Sequence, residues 1–256
     1  MEQLDREKRL IDTEVAALKK QDPHVVGIKV TGLGGNPYYY QEVVLSDYTP
    51  LTEKKQEESG VSVRYRNVAL DSYTPKSIGQ TELYATLLKY AKLFQDGKMY
   101  RKDPNGIYLC GKIGTGKTHI ISALTNTLLA SGYECRKTTP IEMMRQIRIG
   151  EHEHAPLNRA LEKYKTCDFL IIDDFGKDKP TEYSTKTMFE IINYRSDNIL
   201  PVLITSNYTI REIPKRMTPE GVDMTLGTSI ADRLFQGCRL MELSGPSLRV
   251  GREAIA

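Results

Sequence analysis

The chain has 256 residues, of which 39% are hydrophobic and 27% are charged, as in ordinary globular proteins. This length allows one large domain, or one domain with a smaller appendage, and no apolar run is long enough to span a membrane. The 36 basic and 33 acidic side chains are too evenly balanced to indicate nucleic-acid binding from composition. The N-terminus is charged and has no apolar segment typical of a secretory signal, so we expect a cytoplasmic protein.

Residues 1–70 are expected to form an N-terminal region that binds a partner. Within it, residues 4–20 have apolar side chains at helical spacing, which predicts an amphipathic helix. The apolar stripe consists of Leu4, Ile11, Val15 and Leu18. It packs either on the protein's own core or on a partner, and the sequence leaves both open. The polar segment 52–60 is expected to be a mobile loop or linker, so we predict a small, mainly helical region followed by a second domain over 71–256.

Predicted helices and strands alternate through this second domain. Helices are predicted over 80–95, 117–131, 141–150 and 183–197. Strands are predicted over 107–110, 133–139, 167–174, 201–207 and 238–243. Alternation of this kind indicates an α/β fold with a parallel sheet covered by helices on both faces.

The segment GKIGTGKT at residues 111–118 matches the phosphate-binding pattern G-x-x-x-x-G-K-[ST] and lies between a predicted strand and a predicted helix. Its glycines allow several backbone N–H groups to point at one phosphate, and the start of the following helix adds partial positive charge. Lys117 is placed to reach the β- and γ-phosphates, and the Thr118 hydroxyl to ligate Mg²⁺. The predicted nucleotide-binding residues are Gly111, Lys112, Ile113, Gly114, Thr115, Gly116, Lys117, Thr118 and His119.

Two other predicted strands end in polar residues that belong at the same edge of the sheet. The run FLIIDD ends in Asp173, expected to hold Mg²⁺ through its water shell, and Asp174, placed to orient or deprotonate the attacking water. The run LITSN ends in Asn207, a candidate to contact that water or the γ-phosphate, with a turn-forming asparagine as the alternative.

These motifs, followed by SIADRLFQG at 229–237, resemble in their order the AAA+ ATPases. The chain looks specifically like the branch that contains the DnaC/DnaI-type replicative helicase loaders and the IstB-type transposition helpers. It covers roughly 75–256 and includes the DD ending and the C-terminal GPSLRVGRE. The resemblance implies a P-loop NTPase of three layers that binds ATP with Mg²⁺ and hydrolyses ATP. The stretch after Arg233 is too short for a strand and a helical bundle, so the C-terminal lid of most AAA+ proteins is expected to be absent.

The resemblance also implies roles for four polar residues. Arg233 matches the arginine finger that reaches a nucleotide bound to a neighbouring subunit, which implies self-association; a helix-surface arginine is the alternative. Asn207 matches the sensor position. Arg249 is a candidate nucleotide or subunit contact, and Arg195 a candidate second contact across the subunit interface.

The predicted helix over 141–150 looks like the extra helix that this branch inserts after its second strand. In the family, this region lines the path of single-stranded DNA, which implies DNA contacts for Lys137, Arg145 and Arg148. An ordinary solvated helix face is the alternative.

The expected function is therefore an ATP-dependent replication protein that binds single-stranded DNA, assembles with itself and loads a hexameric helicase, with hydrolysis as a switch. A transposition helper acting on duplex DNA is the alternative within the same branch. An autonomous enzyme for small-molecule phosphoryl transfer fits less well, because it needs a lid and an acceptor site. No cysteine precedes Cys110, so the zinc-binding N-terminal domain of some loaders is not expected, and a helicase contact here would depend on packing alone.

Overall fold

The computed structural model describes residues 25–31, 40–45, 53–95, 104–152 and 159–245. The chain divides into two compact units, Met1–Pro50 and Leu51–Ala256. In the first unit, β1 (Val25–Thr31) pairs antiparallel with β2 (Tyr40–Leu45). The sequence did not predict these strands, because glycine and proline interrupt the apolar pattern around them. The predicted helix over 4–20 lies outside the described residues.

The second unit is built on a five-stranded sheet. Its strands are β3 (Gly106–Cys110), β4 (Cys135–Thr138), β5 (Phe169–Phe175), β6 (Val202–Ser206) and β7 (Cys238–Glu242). They lie in the order β4-β5-β6-β3-β7, and every neighbouring pair is parallel. Each strand overlaps a predicted one, so the predicted parallel sheet is confirmed. The strand that precedes GKIGTGKT lies between β6 and β7, which places that loop near the middle of the sheet's carboxyl edge.

Helices precede and connect these strands. They are α1 (Glu53–Glu58), α2 (Ile78–Gln95), α3 (Lys117–Ala130), α4 (Pro140–His152), α5 (Arg159–Thr166), α6 (Glu182–Asp197), α7 (Ile213–Arg216) and α8 (Thr225–Gly237). The predicted helices correspond to α2, α3, α4 and α6. Among the residues that the structure describes, no helix is both long and apolar enough to cross a membrane.

The sheet has a hydrophobic core on each face. Successive residues of a strand point to opposite faces, so Ile107 and Leu109 of β3 join the cluster under α2 and α3. Tyr108, between them, joins the cluster under α4, α6 and α8. The two clusters enclose the sheet between helical layers, which is the predicted three-layer architecture.

Residues 53–73 belong to this second unit, although the sequence assigned 1–70 to a separate region. Val61 and Tyr73 are buried in the same cluster as α3. The segment 52–60, expected to be a mobile loop or linker, contains α1 and continues along the free edge of β4. There the backbone N–H of Lys137 donates to the Ser59 carbonyl at 2.6 Å.

At the amino edge of the sheet, Arg195 of α6 is completely buried, with 0% of its surface exposed. Its guanidinium donates to the carbonyls of Tyr164, Lys165, Cys167, Asp168 and Pro201. These carbonyls lie at the end of α5 and just before β5 and β6. Arg195 therefore connects the segments that lead into both strands by hydrogen bonds. The expectation that it contacts another subunit is wrong, because no partner could reach this side chain.

Candidate nucleotide site

The loop between β3 and α3 has the backbone conformation that its glycines predict. Gly111, Gly114 and Gly116 have φ angles of 152°, 85° and 99°. At Gly111 a Cβ would also collide with the Leu243 carbonyl, because the chain beyond β7 packs directly against the loop. Lys117 Nζ donates to the carbonyls of Gly111 and Lys112, both at 2.8 Å, which closes the loop around the ammonium. The loop therefore has the curled form of a phosphate cradle, with its lysine inside.

A cavity of about 640 Å³ opens beside this loop, a size suited to a nucleotide. Predicted site residues that line it are Ile113, Gly114, Gly116, Lys117, Thr118, His119, Asp174 and Asn207. They come from the loop, the start of α3 and the ends of β5 and β6. Lys112 is exposed, and its carbonyl rather than its side chain contributes to the loop.

Asp173, at the end of β5, is buried and has hydrogen bonds on both carboxylate oxygens. The Thr118 hydroxyl donates to Oδ1 at 3.1 Å, and the Thr205 hydroxyl donates to the same atom. Lys137 Nζ donates to Oδ2 at 2.9 Å. Burial alone would raise the pKa of Asp173, but the Lys137 charge and these hydrogen bonds outweigh it and lower the pKa. The carboxylate is therefore held in its charged form.

Thr118 and Asp173 fit the predicted magnesium site. Mg²⁺ prefers hard oxygen ligands and takes few from the protein when phosphates and water supply the others. The structure places one hydroxyl and one carboxylate side by side at the edge of the loop, the donor set that such an ion requires.

Asp174 has a φ of 59°, in the left-handed region that a residue with a side chain rarely adopts. Its backbone N–H donates to the Thr205 hydroxyl at 3.0 Å, and its carboxylate pairs with Lys177 at 3.1 Å. Strained backbone of this kind is concentrated at functional sites. Here it turns the carboxylate away from the line of β5 and into the cavity wall, where it could orient a water molecule.

The far wall of the cavity is aromatic, and the sequence did not predict it. Tyr65 and Tyr73 lie with ring centroids 6.3 Å and 6.4 Å from that of His119. Burial and the nearby charge of Arg64 lower the pKa of His119, so its imidazole is neutral at neutral pH. A neutral aromatic wall beside a phosphate cradle suits a flat nucleobase. Tyr65 and Tyr73 were missed because their segment has no periodic pattern, whereas His119 is among the predicted nucleotide-binding residues.

The structure separates the three residues predicted to contact DNA. The predicted DNA contact of Lys137 is corrected: its ammonium pairs with Asp173 instead of facing outward, because β4 is adjacent to β5. Arg145 remains exposed on α4 and pairs with Glu142 at 2.7 Å. Arg148, also on α4, lies 4.8 Å from the ring centre of Tyr183.

Arg233 lies away from the nucleotide cavity of its own chain. Its Nε donates to Asn193 Oδ1 at 3.0 Å, which joins α8 to α6. It lines a shallow depression together with Asn105, Val202 and Cys238, which lie at the amino ends of β3, β6 and β7. The loop and Asp173 are at the opposite edge. Arg249 lies outside the described residues.

This geometry agrees with the comparisons with known proteins. A family model described as "IstB-like ATP binding protein" matches residues 94–256. The chain belongs to this family. The predicted resemblance to the DnaC/IstB-like AAA+ branch is thereby confirmed.

Relatives of this IstB-like protein include a phage-like protein and a helicase loader. Phage-like element PBSX protein XkdC of Bacillus subtilis (strain 168) is 32% identical over 156 residues, which cover 59% of this chain and 53% of the relative. The chain thus spans about half the length of that relative. Replicative helicase loader DnaC of Escherichia coli (strain K12) is 25% identical over 174 residues, which cover 67% of this chain and 69% of the relative.

Among solved structures, one described as the DnaC helicase loader has a TM-score of 0.60 at 21% identity. The match covers 72% of this chain and 100% of that one. This similarity shows that the IstB-like protein has the AAA+ P-loop fold.

Proposed function

We propose that this IstB-like protein is an ATPase that assembles with itself in the cytoplasm and loads a replicative hexameric helicase onto single-stranded DNA. One observation carries the proposal. The phosphate loop, Thr118 and a strained carboxylate line one cavity, with Asp173 hydrogen-bonded to Thr118, while the candidate arginine finger lies at the opposite edge of the sheet. Such a chain would bind ATP by itself but would need a neighbour to complete the catalytic site.

The chemistry follows from where each group lies. The loop N–H groups and Lys117 would hold the phosphates, and Thr118 with Asp173 would hold Mg²⁺. Bound Mg²⁺ would neutralise the charge that develops on the phosphate oxygens. Asp174 and Asn207 line the same cavity and are placed to orient the attacking water. Tyr65, Tyr73 and His119 would face the base.

Self-association would add an arginine from a neighbouring chain to the basic side chains that already line this site. Arg233 is half-buried on α8 and reaches Asn193, so its own chain holds it in a defined orientation. An arginine provided by a neighbouring subunit stabilises the transition-state charge in other P-loop enzymes. The rate of hydrolysis would then depend on assembly. Loss of the γ-phosphate would release the neighbouring chain, so that hydrolysis would act as a switch.

Helicase loading is supported by the relatives named as replicative helicase loaders, which match about two thirds of this chain. The N-terminal unit would contact the helicase. Arg145 and Arg148 of α4 would neutralise phosphates of single-stranded DNA.

The test is the ATPase rate as a function of protein concentration, with single-stranded DNA, with duplex DNA and without DNA. We expect a rate that rises more steeply than concentration and increases further with single-stranded DNA. A rate proportional to concentration and indifferent to both DNAs would mean that one chain completes the site, and the proposal would fail.

A transposition helper is the second candidate, favoured by the family model that the chain matches. It predicts the same steep concentration dependence, but with stimulation by duplex DNA alone and no affinity for a helicase. Pull-down of the full-length chain with a hexameric replicative helicase from the same host separates the two functions.

A further inference from the structure

Lys137 is a largely buried cation that lies directly on Asp173, the carboxylate of the proposed magnesium site. It belongs to β4, whose neighbour in the sheet is β5, and the two strands pair Lys137 with Ile171. From that position its ammonium reaches Asp173 Oδ2 at 2.9 Å. Only 9% of the Lys137 side chain and 7% of the Asp173 side chain are exposed, so water screens this pair weakly.

The backbone of Lys137 is fixed on both sides. Its N–H donates to the Ser59 carbonyl on one side, while β5 pairs with it on the other. Gly60 has a φ of 82° and lies so close to the Lys137 carbonyl that no Cβ could be accommodated. These contacts restrict where the ammonium can move, so its charge stays near Asp173.

A charge in this position opposes a second cation. Thr118 and Thr205 already donate to Oδ1 of Asp173, and Lys137 occupies Oδ2. A divalent ion approaching Thr118 and Asp173 therefore meets a positive charge within a few ångströms and an environment that screens poorly. The phosphates of ATP would bring enough negative charge to reverse this balance.

We propose that Lys137 is the resident counter-ion of Asp173 and excludes divalent cations from the site until a nucleoside triphosphate is bound. This inference rests on the proposed function, because it assumes that the site accepts a metal–nucleotide complex. Lys137 is a positioning residue: it keeps Asp173 charged and oriented, and it makes metal binding depend on the nucleotide. A site of this kind binds the metal ion only when a nucleotide phosphate is bound as well.

The experiment is a titration of the nucleotide-free, full-length protein with Mn²⁺, with free Mn²⁺ measured by electron paramagnetic resonance. We expect Lys137→Met to bind Mn²⁺ about tenfold more tightly than the unchanged protein, because one neighbouring positive charge is removed. Lys137→Arg, which keeps the charge, and Lys163→Met, which removes an exposed lysine elsewhere, should both bind as the unchanged protein does. Unchanged or weaker Mn²⁺ binding by Lys137→Met would overturn the inference.

A double variant locates the gained site. Lys137→Met combined with Asp173→Asn should lose the extra Mn²⁺ binding, and retention of it would place the metal elsewhere and refute the inference. If Lys137→Met fails to fold, Lys137→Gln is titrated instead, with the same expected outcome.

Binding of a fluorescent ATP analogue with Mg²⁺ by the unchanged protein is measured in parallel. Failure of that binding defeats the proposed function. Normal analogue binding with no Mn²⁺ change in the Lys137 variants defeats only the inference.

Discussion

The two edges of the central sheet each contain a buried cation, but the partners differ in kind. At the amino edge, Arg195 donates to main-chain carbonyls of the segments that lead into β5 and β6. At the carboxyl edge, Lys137 pairs with a carboxylate that would also serve a metal ion. The first arrangement is permanent, whereas the second lasts until a competitor for Asp173 arrives.

This difference shows how the partner of a buried charge reveals its role. A guanidinium surrounded by carbonyls fastens loops, and its loss leaves buried acceptors without donors. An ammonium on a carboxylate of the candidate site adjusts the chemistry, and its loss leaves a carboxylate that still accepts hydrogen bonds from Thr118 and Thr205. The two residues should therefore respond differently to the same substitution.

The largest expected effect is on folding. Arg195→Met should lower the free energy of unfolding by about 3–5 kcal/mol, because several buried carbonyls lose their donor together. Lys137→Met should lower it by less than half of that amount. Urea unfolding monitored by circular dichroism measures both, and equal losses would remove the distinction between the two edges.

The next effect concerns hydrolysis at the amino edge. Arg233→Ala should leave ATP binding unchanged and reduce the ATPase rate at high protein concentration by about a thousandfold, because a neighbouring site loses its finger. Arg239→Ala, which removes an exposed arginine of β7, is the matched control. Normal hydrolysis by Arg233→Ala in concentrated solution would show that the finger assignment is wrong.

A smaller loss is expected at the carboxyl edge. Lys117→Ala should weaken ATP binding at least about a hundredfold, because a buried ammonium no longer meets the phosphates. Lys112→Ala changes an exposed lysine of the same loop and should bind normally. Equilibrium titration with a fluorescent ATP analogue compares them, and similar affinities would contradict the phosphate role of Lys117.

The smallest effects concern DNA. Arg145→Ala and Arg148→Ala should each weaken binding to single-stranded DNA by about three- to tenfold. Each should also reduce the slope of the logarithm of the binding constant against the logarithm of salt concentration by about one. Lys186→Ala, an exposed charge on α6, should change neither quantity. Fluorescence anisotropy at several salt concentrations measures both, and an effect equal to that of Lys186→Ala would exclude α4 from the DNA contact.

Local patterns in the sequence predicted the phosphate loop, Asp173, Asp174 and most of the sheet. The loop signal is contiguous, and the aspartates follow an apolar strand, so neither depends on knowledge of distant residues. Thr205 was missed because it lies inside the apolar run of β6, where a threonine is an ordinary strand residue and does not indicate a functional role. Only the adjacency of β5 and β6 shows that it binds Asp173.

The remaining differences have the same origin. Lys137 was assigned to DNA from the resemblance, because the corresponding region of the family lines the DNA path, whereas its neighbour in space is an aspartate. Arg195 was assigned to a subunit interface because a helix pattern does not show that this position faces five main-chain carbonyls at the end of α5 and before β5 and β6. Tyr65 and Tyr73 lie in an aperiodic segment, and their role depends on folding back to His119. Strand order and chain reversal are long-range properties that periodicity does not contain.

The segment along β4 has a consequence for handling the protein. Glu58 and Ser59 accept hydrogen bonds from Arg136 and from the Lys137 backbone, so they cover what would otherwise be an open strand edge. Open edges pair with edges of other molecules and lead to aggregation. An ATPase unit shortened to begin at residue 71 would expose this edge and precipitate, whereas one that begins at Leu51 would keep its own protection.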